Sequence, residues 1–158
     1  MRALEPFAAV DATTVVAWVT SLDEARAWAS LDRLPDPAML ARWHAEPDVH
    51  PFVARDDDGS LVAYGELWED ADEAEVELAR LIVAPAARGR GVGRWLTRAL
   101  AGEAHTRGFD DVWLRVVPDN ERAMRAYRAA GFVEAAADEA ASFNVGQPVA
   151  YRWFRDGS

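Results

Sequence analysis

The spacing of apolar and polar residues changes period several times along the chain, and each change marks an element. Residues 4–9 read as a first strand. From about residue 11 to 45 the apolar positions follow helical spacing, interrupted at "LPDP", where Pro35 and Pro37 disfavour one continuous helix. In "HPFVARDDDGSLVAYGELW", Phe52 and Ala54 alternate with Val53 and Arg55, the "DDDGS" cluster turns, and Leu61 to Trp68 returns, which predicts a hairpin. "EAEVELARLIVAP" supplies a further strand that ends before Pro85. From Gly89 to Arg107, Val92, Leu96, Ala99, Leu100 and Ala104 recur at helical spacing, and Gly108 stands where a left-handed residue closes a helix. "DDVWLRVV" predicts a strand. "DNERAMRAYRAAGF" predicts a second amphipathic helix, capped by Asp119 or Asn120, with Ala123, Met124 and Tyr127 inward and Gly131 as its stop. "FVEAAA" and "PVAYRWF" read as closing strands. This order predicts an α/β or α+β fold, a single sheet with helices on its faces.

Composition narrows the picture. The chain has 158 residues, 51% of them hydrophobic, which suits one domain over residues 1–158. It contains no cysteine, so a disulfide framework, a thiolate metal site and a cysteinyl acyl-enzyme are excluded. The first residues lack a basic region followed by an apolar run and a cleavage site, and no stretch has the ~18 apolar residues that cross a bilayer. We therefore expect a soluble, cytoplasmic protein without membrane association. The formal net charge of -10 argues against nucleic acid as a partner. The seven tryptophans are scattered one or two per element, as packing produces. The three histidines lack metal-ligand spacing, so no metal is expected. No serine sits in a nucleophile elbow.

One short run opposes the acidic balance. "ARGRGVGRWL" places Arg88, Arg90 and Arg94 among Gly89, Gly91 and Gly93, between a predicted strand and a predicted helix. The first turn of a helix presents unpaired N–H groups and the positive end of its dipole, so it stabilises an anion. Glycines let phosphate oxygens approach those groups closely, and arginines add forked donors. The run therefore suits a small polyanion. It is neither a dinucleotide fingerprint, because Arg94 stands where the third glycine belongs, nor a Walker loop, because no lysine follows.

"ELARLIVAPAARGRGVGRWL" and "NERAMRAYRAAGF" together resemble the GNAT superfamily of acyl-CoA-dependent N-acetyltransferases. The first matches that family's strand, V-x-P and R-x-x-G-x-G; the second matches its N-x-x-A-x-x-x-Y-x-x-x-G-F. The resemblance covers most of the chain and is weakest over residues 1–50. It implies a mixed, mostly antiparallel sheet of six or seven strands with helices on both faces. It further implies that Arg88, Gly89, Arg90, Gly91, Val92, Gly93 and Arg94 wrap the pyrophosphate of acetyl-CoA, with Asn120 a further contact to this co-substrate. The backbone of Leu81, Ile82 and Val83 would pair with the pantetheine arm as an added strand. Tyr127 matches the family's general acid, and Glu77 the strand glutamate that serves part of the family as base, with Glu75 and Glu66 behind it. Arg115 stands where some members carry an acid. On an ideal strand Glu75, Glu77, Ala79, Leu81 and Val83 share one face, with Glu77 about 20 Å from Val83. The expected activity is acetyl transfer from acetyl-CoA to a primary amine, small molecule or protein, by direct attack in a ternary complex. A non-catalytic acyl-CoA sensor, another acyl donor and a homodimer remain open.

Overall fold

In the computed structural model, which describes residues 1–158, seven strands join one sheet. They are β1 (Ala3–Pro6), β2 (Val49–Arg55), β3 (Leu61–Asp70), β4 (Glu75–Val83), β5 (Asp111–Val116), β6 (Phe132–Glu134) and β7 (Arg152–Asp156), in the order β1-β2-β3-β4-β5-β7-β6. All neighbours pair antiparallel except β4 and β5, which are parallel. The helices are α1 (Ala12–Ala17), α2 (Leu22–Ala29), α3 (Pro37–His44), α4 (Val92–Thr106), α5 (Glu121–Ala129) and α6 (Ala137–Phe143).

The interruption at Pro35 and Pro37 has the predicted effect. Asp36 caps α3 by accepting from the Met39 amide at 2.8 Å, and Pro37 occupies the first turn, where no N–H is needed. Ser21 caps α2 in the same way through Glu24 N–H. The two helical layers lie on opposite faces of the sheet. Tyr64 of β3 meets Trp28 of α2 and His44 of α3, whereas a Cβ on its neighbour Gly65 would meet Leu100 of α4. Adjacent strand residues point to opposite faces. Along α4, Val92, Leu96, Leu100 and Ala104 form a buried stripe against the sheet. No helix is long and apolar enough to cross a membrane.

Several elements differ from the sequence expectation; the first strand, expected over residues 4–9, runs Ala3–Pro6, and a 3-10 turn follows at Ala9–Asp11. Helix α4 starts at Val92 rather than at Gly89 or Arg90, because Gly89 and Gly91 have φ of 77° and 76°, outside the right-handed helix. The strand expected over "FVEAAA" stops at Glu134, and α6 follows; its alanines favour a helix, and the short repeat of small residues carries no strand alternation. The last strand begins at Arg152 rather than near Pro148, since a proline cannot donate to a ladder.

Candidate active site

The site arises where the parallel pair comes apart. Pairing of β4 with β5 runs from Glu75 opposite Asp111 to Leu78 opposite Leu114 and ends there, although β4 continues to Val83. The local cause is a bulge. Glu66 pairs with Ala79 and Tyr64 with Ile82, so Arg80 and Leu81 together stand against Gly65, and Arg80 takes φ 51°. A Cβ at residue 65 would lie 2.7 Å from Leu100 Cδ1 and 3.3 Å from Leu81 Cγ, so glycine lets the bulge and α4 come together. Ala84 N–H donates to Val62 at 2.8 Å. Backbone groups alternate sides along a strand, so Leu81 and Val83 turn theirs away from β3 toward the gap left by β5.

Side chains hold the bulge in place. Arg80 donates to Glu66 at 2.9 Å while its guanidinium lies over the Trp43 ring at 3.7 Å. Trp28 of α2 donates its indole N–H to the Arg80 carbonyl at 2.7 Å. Glu66 is fully buried and also accepts from Trp68 at 2.8 Å and from the Tyr64 hydroxyl. Burial, with the Glu66 charge adding, raises Tyr64 well above the ordinary phenol value, so its one proton goes to Glu66. His44 Nε2, 2.8 Å from that hydroxyl, must then be the donor to it. Glu66 is thus committed to structure.

Past Val83 the chain makes a short 3-10 turn, Pro85–Ala87, and enters the arginine and glycine run. The N–H groups from Gly89 to Arg94 make no hydrogen bond within the protein. Arg88 Nε donates to the Val83 carbonyl at 3.1 Å, tying the run to β4. Burial, then the neighbouring Arg122, depress the Arg88 guanidinium below its ordinary value, with Glu24 opposing at 3.9 Å. Crowded cations beside open amides fit a polyanion. The cleft of about 670 Å³ is lined by Leu81, Ile82, Val83, Arg88, Gly89, Gly91, Val92, Gly93, Arg94, Asn120 and Tyr127. Arg90 does not line it; its side chain turns back to the Ala86 carbonyl at 2.7 Å, leaving only its amide in the open run.

Helix α5 closes the far wall. Asn120 caps it, accepting from the Ala123 amide at 3.2 Å. Tyr127 is half-buried, packs near Phe154, and has no hydrogen-bond partner for its hydroxyl. Desolvation pushes its pKa up to about 12, so the phenol keeps its proton at neutral pH. Helix α2 borders the cleft with Glu24 and Trp28, and Arg26 reaches Asp119 at 3.6 Å.

Glu77 lies elsewhere. It accepts from Arg115 at 2.9 Å and lines a second cavity with Trp68, Trp113 and Trp153; Arg115, not Glu77, lines the cleft. Burial raises the Glu77 pKa, with Arg115 opposing. The bulge also overturns the expectation of one shared face. With an extra residue at Arg80, Glu77, Ala79 and Ile82 fall on the side of α2, whereas Leu81 falls on the side of α4. Four residues that shape the site had no role in the sequence reading: Trp28, Gly65, Arg80 and Glu66 as an anchor. A glycine inside the alternating "LVAYGELW" is a signal that could have marked this strand pair for an irregularity, although it does not place one at Arg80.

Comparison with known proteins agrees with this geometry. The chain is 36% identical to streptothricin acetyltransferase of Streptomyces lavendulae over 60% of its length and 50% of the relative's. It is 37% identical to mycothiol acetyltransferase of Clavibacter michiganensis subsp. michiganensis over 86% of its length and 44% of the relative's. The chain thus spans about half the length of these curated relatives. Its fold matches a spermidine N-acetyltransferase from Vibrio cholerae, in complex with CoA and spermine, with a TM-score of 0.76 at 18% identity, covering 98% of this chain and 92% of that one. It matches an aminoglycoside acetyltransferase in complex with coenzyme A and kanamycin with a TM-score of 0.73 at 21% identity, covering 97% and 94%. The sequence model of the acetyltransferase (GNAT) family matches residues 11–132. The chain, with its split parallel pair and its open run of amides, belongs to the GNAT acetyltransferase family.

Proposed function

We propose that the chain transfers an acetyl group from acetyl-CoA to a primary amine while holding both substrates, in the cytoplasm. One observation carries this reading: the open edge of β4 at Leu81 and Val83 leads directly into the unpaired amides of Gly89 to Arg94. A strand edge followed by an anion cradle suits a ligand with amides in its arm and a pyrophosphate at its end. Acetyl-CoA supplies the thioester and the leaving thiolate. Leu81 and Val83 offer backbone partners to the arm, and the Leu81 N–H is the donor for the acyl oxygen. Arg88 and Arg94 neutralise the phosphates. Asn120 positions α5 and lines the same cleft.

Tyr127 supports the departure of sulfur. With a pKa of about 12, it is a donor to the developing thiolate rather than a source of tyrosinate. Glu77, separated from the cleft by Arg115, takes a proton from the acceptor amine through bridging water; that amine has a pKa near ~10 and is otherwise charged at neutral pH. Burial makes that carboxylate more basic, and Arg115 fixes its direction. The test is to incubate the protein with acetyl-CoA and a panel of amines, measuring free thiol and the mass of the acetylated product. Acetyl-CoA-dependent gain of one acetyl group supports the reading. Tight acetyl-CoA binding with no thiol released from any amine would identify a sensor instead.

A further inference from the structure

The Arg80 carbonyl, which accepts the Trp28 indole N–H at 2.7 Å, and the Leu81 N–H are two ends of one peptide group. That group is planar and trans, so its C=O and N–H point in opposite directions and turn together. An indole that holds the carbonyl therefore also sets the direction of the N–H. Arg80 stands in the bulge with φ 51°, where the ladder that fixes peptide planes elsewhere in β4 is interrupted. The Arg80–Glu66 pair fixes the side chain of residue 80, whereas the indole bond acts on the peptide plane itself.

The indole is held from several sides. Trp28 is 9% exposed, and its ring meets Trp43 and Tyr64 edge-on, with centroids 5.6 and 6.1 Å apart. Helix α2, which carries it, is tied to three other parts of the fold. Glu24 faces Arg88 of the cradle at 3.9 Å, Arg26 faces Asp119 ahead of α5 at 3.6 Å, and the Ser30 and Tyr151 hydroxyls are 2.8 Å apart. Trp28, Arg80 and Leu81 all line the cleft. Any polar atom would satisfy a buried indole N–H; this one engages the peptide whose other end faces the gap beside β5. Linked hydrogen bonds polarise one another, so a donor on the carbonyl makes the N–H at the far end of the same amide a stronger donor.

Resting on the acetyl-transfer reading, we propose that Trp28 is a positioning residue for that reaction, its indole N–H orienting and polarising the Arg80–Leu81 peptide so that the Leu81 N–H meets the acyl oxygen. As the acceptor nitrogen bonds to the acyl carbon, the carbonyl π pair moves onto oxygen, where that N–H stabilises it. The pair returns as the carbon–sulfur bond breaks; sulfur takes the Tyr127 proton, the amine proton passes through water to Glu77, and both groups then exchange protons with solvent. Trp28 acts on these atoms only through the peptide. Its effect falls on the transition state, where negative charge sits on oxygen, and little on the parts of acetyl-CoA that the cradle holds.

The test compares the wild type with Trp28→Phe, which keeps an aromatic ring beside Trp43 and Tyr64 and removes the N–H. Infrared difference spectroscopy, without an acceptor, reads the carbonyl stretch of bound acetyl-CoA isotopically labelled at its thioester carbon. Kinetics with an amine of the panel that turns over give kcat and KM for acetyl-CoA, and CoA, which lacks the acyl group, gives a Tm shift that reads the rest of the cleft. The carbonyl stretch should lie lower in the wild type than in the variant, and kcat should fall about tenfold in the variant. KM and the CoA shift should stay within about twofold of the wild type. Coincident carbonyl bands, equal kcat, or a loss confined to KM overturns the proposal. If Trp28→Phe fails to fold, the benzothienyl isostere of tryptophan placed at residue 28 keeps the shape without the N–H, and the same readings decide. If acetyl-CoA binds the wild type and no amine releases thiol, the acetyl-transfer reading fails on its own account. The infrared comparison then decides Trp28 alone: separated bands support the positioning role, and coincident bands overturn it.

Discussion

Arg80 reaches across the β3–β4 ladder to donate to Glu66 at 2.9 Å, so the residue that breaks β4 is anchored to the strand beside it. The anchor is buried, and its partner carboxylate also receives Tyr64 and Trp68. Glu66→Ala leaves a guanidinium and an indole N–H without an acceptor. Removing one member of a buried pair costs about 3–5 kcal/mol, which for a chain of this size lowers Tm by roughly 10 °C. Because the bulge exposes the open edge of β4, KM for acetyl-CoA should rise with it. Thermal denaturation and steady-state kinetics check both; a variant with wild-type Tm would remove the anchor from this account.

Tyr127→Phe deletes the hydroxyl and keeps the ring against Phe154. If that hydroxyl supports the leaving sulfur, kcat should fall by about 10²-fold with KM for acetyl-CoA nearly unchanged. Equal kcat would make the ring a packing element.

The pattern of apolar residues showed the order of elements because each helix and strand buries one face, which leaves a period in the sequence. The arginines and glycines of residues 88–94 marked the junction between strand and helix, and Gly89 and Gly91 there adopt left-handed conformations that few other residues tolerate. The bulge at Arg80 was not legible. Nothing in "VELARLIV" separates a bulged strand from a regular one; the distortion comes from Gly65, Glu66 and Trp28, which are remote in sequence or on another strand. That single irregularity decides which side chains face the cleft. It explains why ideal alternation put Leu81 on the same face as Glu77. Helix α6 was missed because seven residues carry too little periodicity.

Glu77 is tested by pH. Its folded pKa lies above the ordinary carboxylate value, through burial opposed by Arg115. As the base it must be ionised, so wild-type kcat/KM should fall as pH drops through that raised value. Glu77→Gln should lose turnover steeply at neutral pH and recover in part toward pH ~10, where the free amine appears. A variant whose pH profile matches the wild type would leave deprotonation to solvent.

His105 and Asp156 give a stability prediction separate from the site. His105 donates to Asp156 at 3.0 Å and to the Phe109 carbonyl at 2.8 Å, and the Asp156 bond, then the carbonyl, raise its pKa above 6.5. Asp156 is lowered to about 2 from 3.8: burial raises it, but hydrogen bonds from Ser158, His105 and Arg98 outweigh that. The histidine's contribution is complete below 6.5 and is lost as pH rises through the raised folded value. The aspartate's is present above 3.8 and lost as pH falls toward 2. Wild-type Tm should therefore decline from pH 5 to 8 by more than that of Asp156→Asn. Parallel Tm curves for the two proteins would contradict this.

The most direct test of the account is the effect of acetyl-CoA on Tm. A ligand at a hundredfold excess over its Kd adds about 2.7 kcal/mol, which for a chain of this size raises Tm by about 5–10 °C. Gly91→Val should abolish most of that shift. A side chain at φ 76° strains the turn, and it intrudes where the open amides must meet phosphate. Arg88→Ala should reduce the shift by removing a cation and the bond to Val83. A rise in wild-type Tm that Gly91→Val lacks is the predicted result; a wild-type Tm unmoved by millimolar acetyl-CoA would contradict the account at its base.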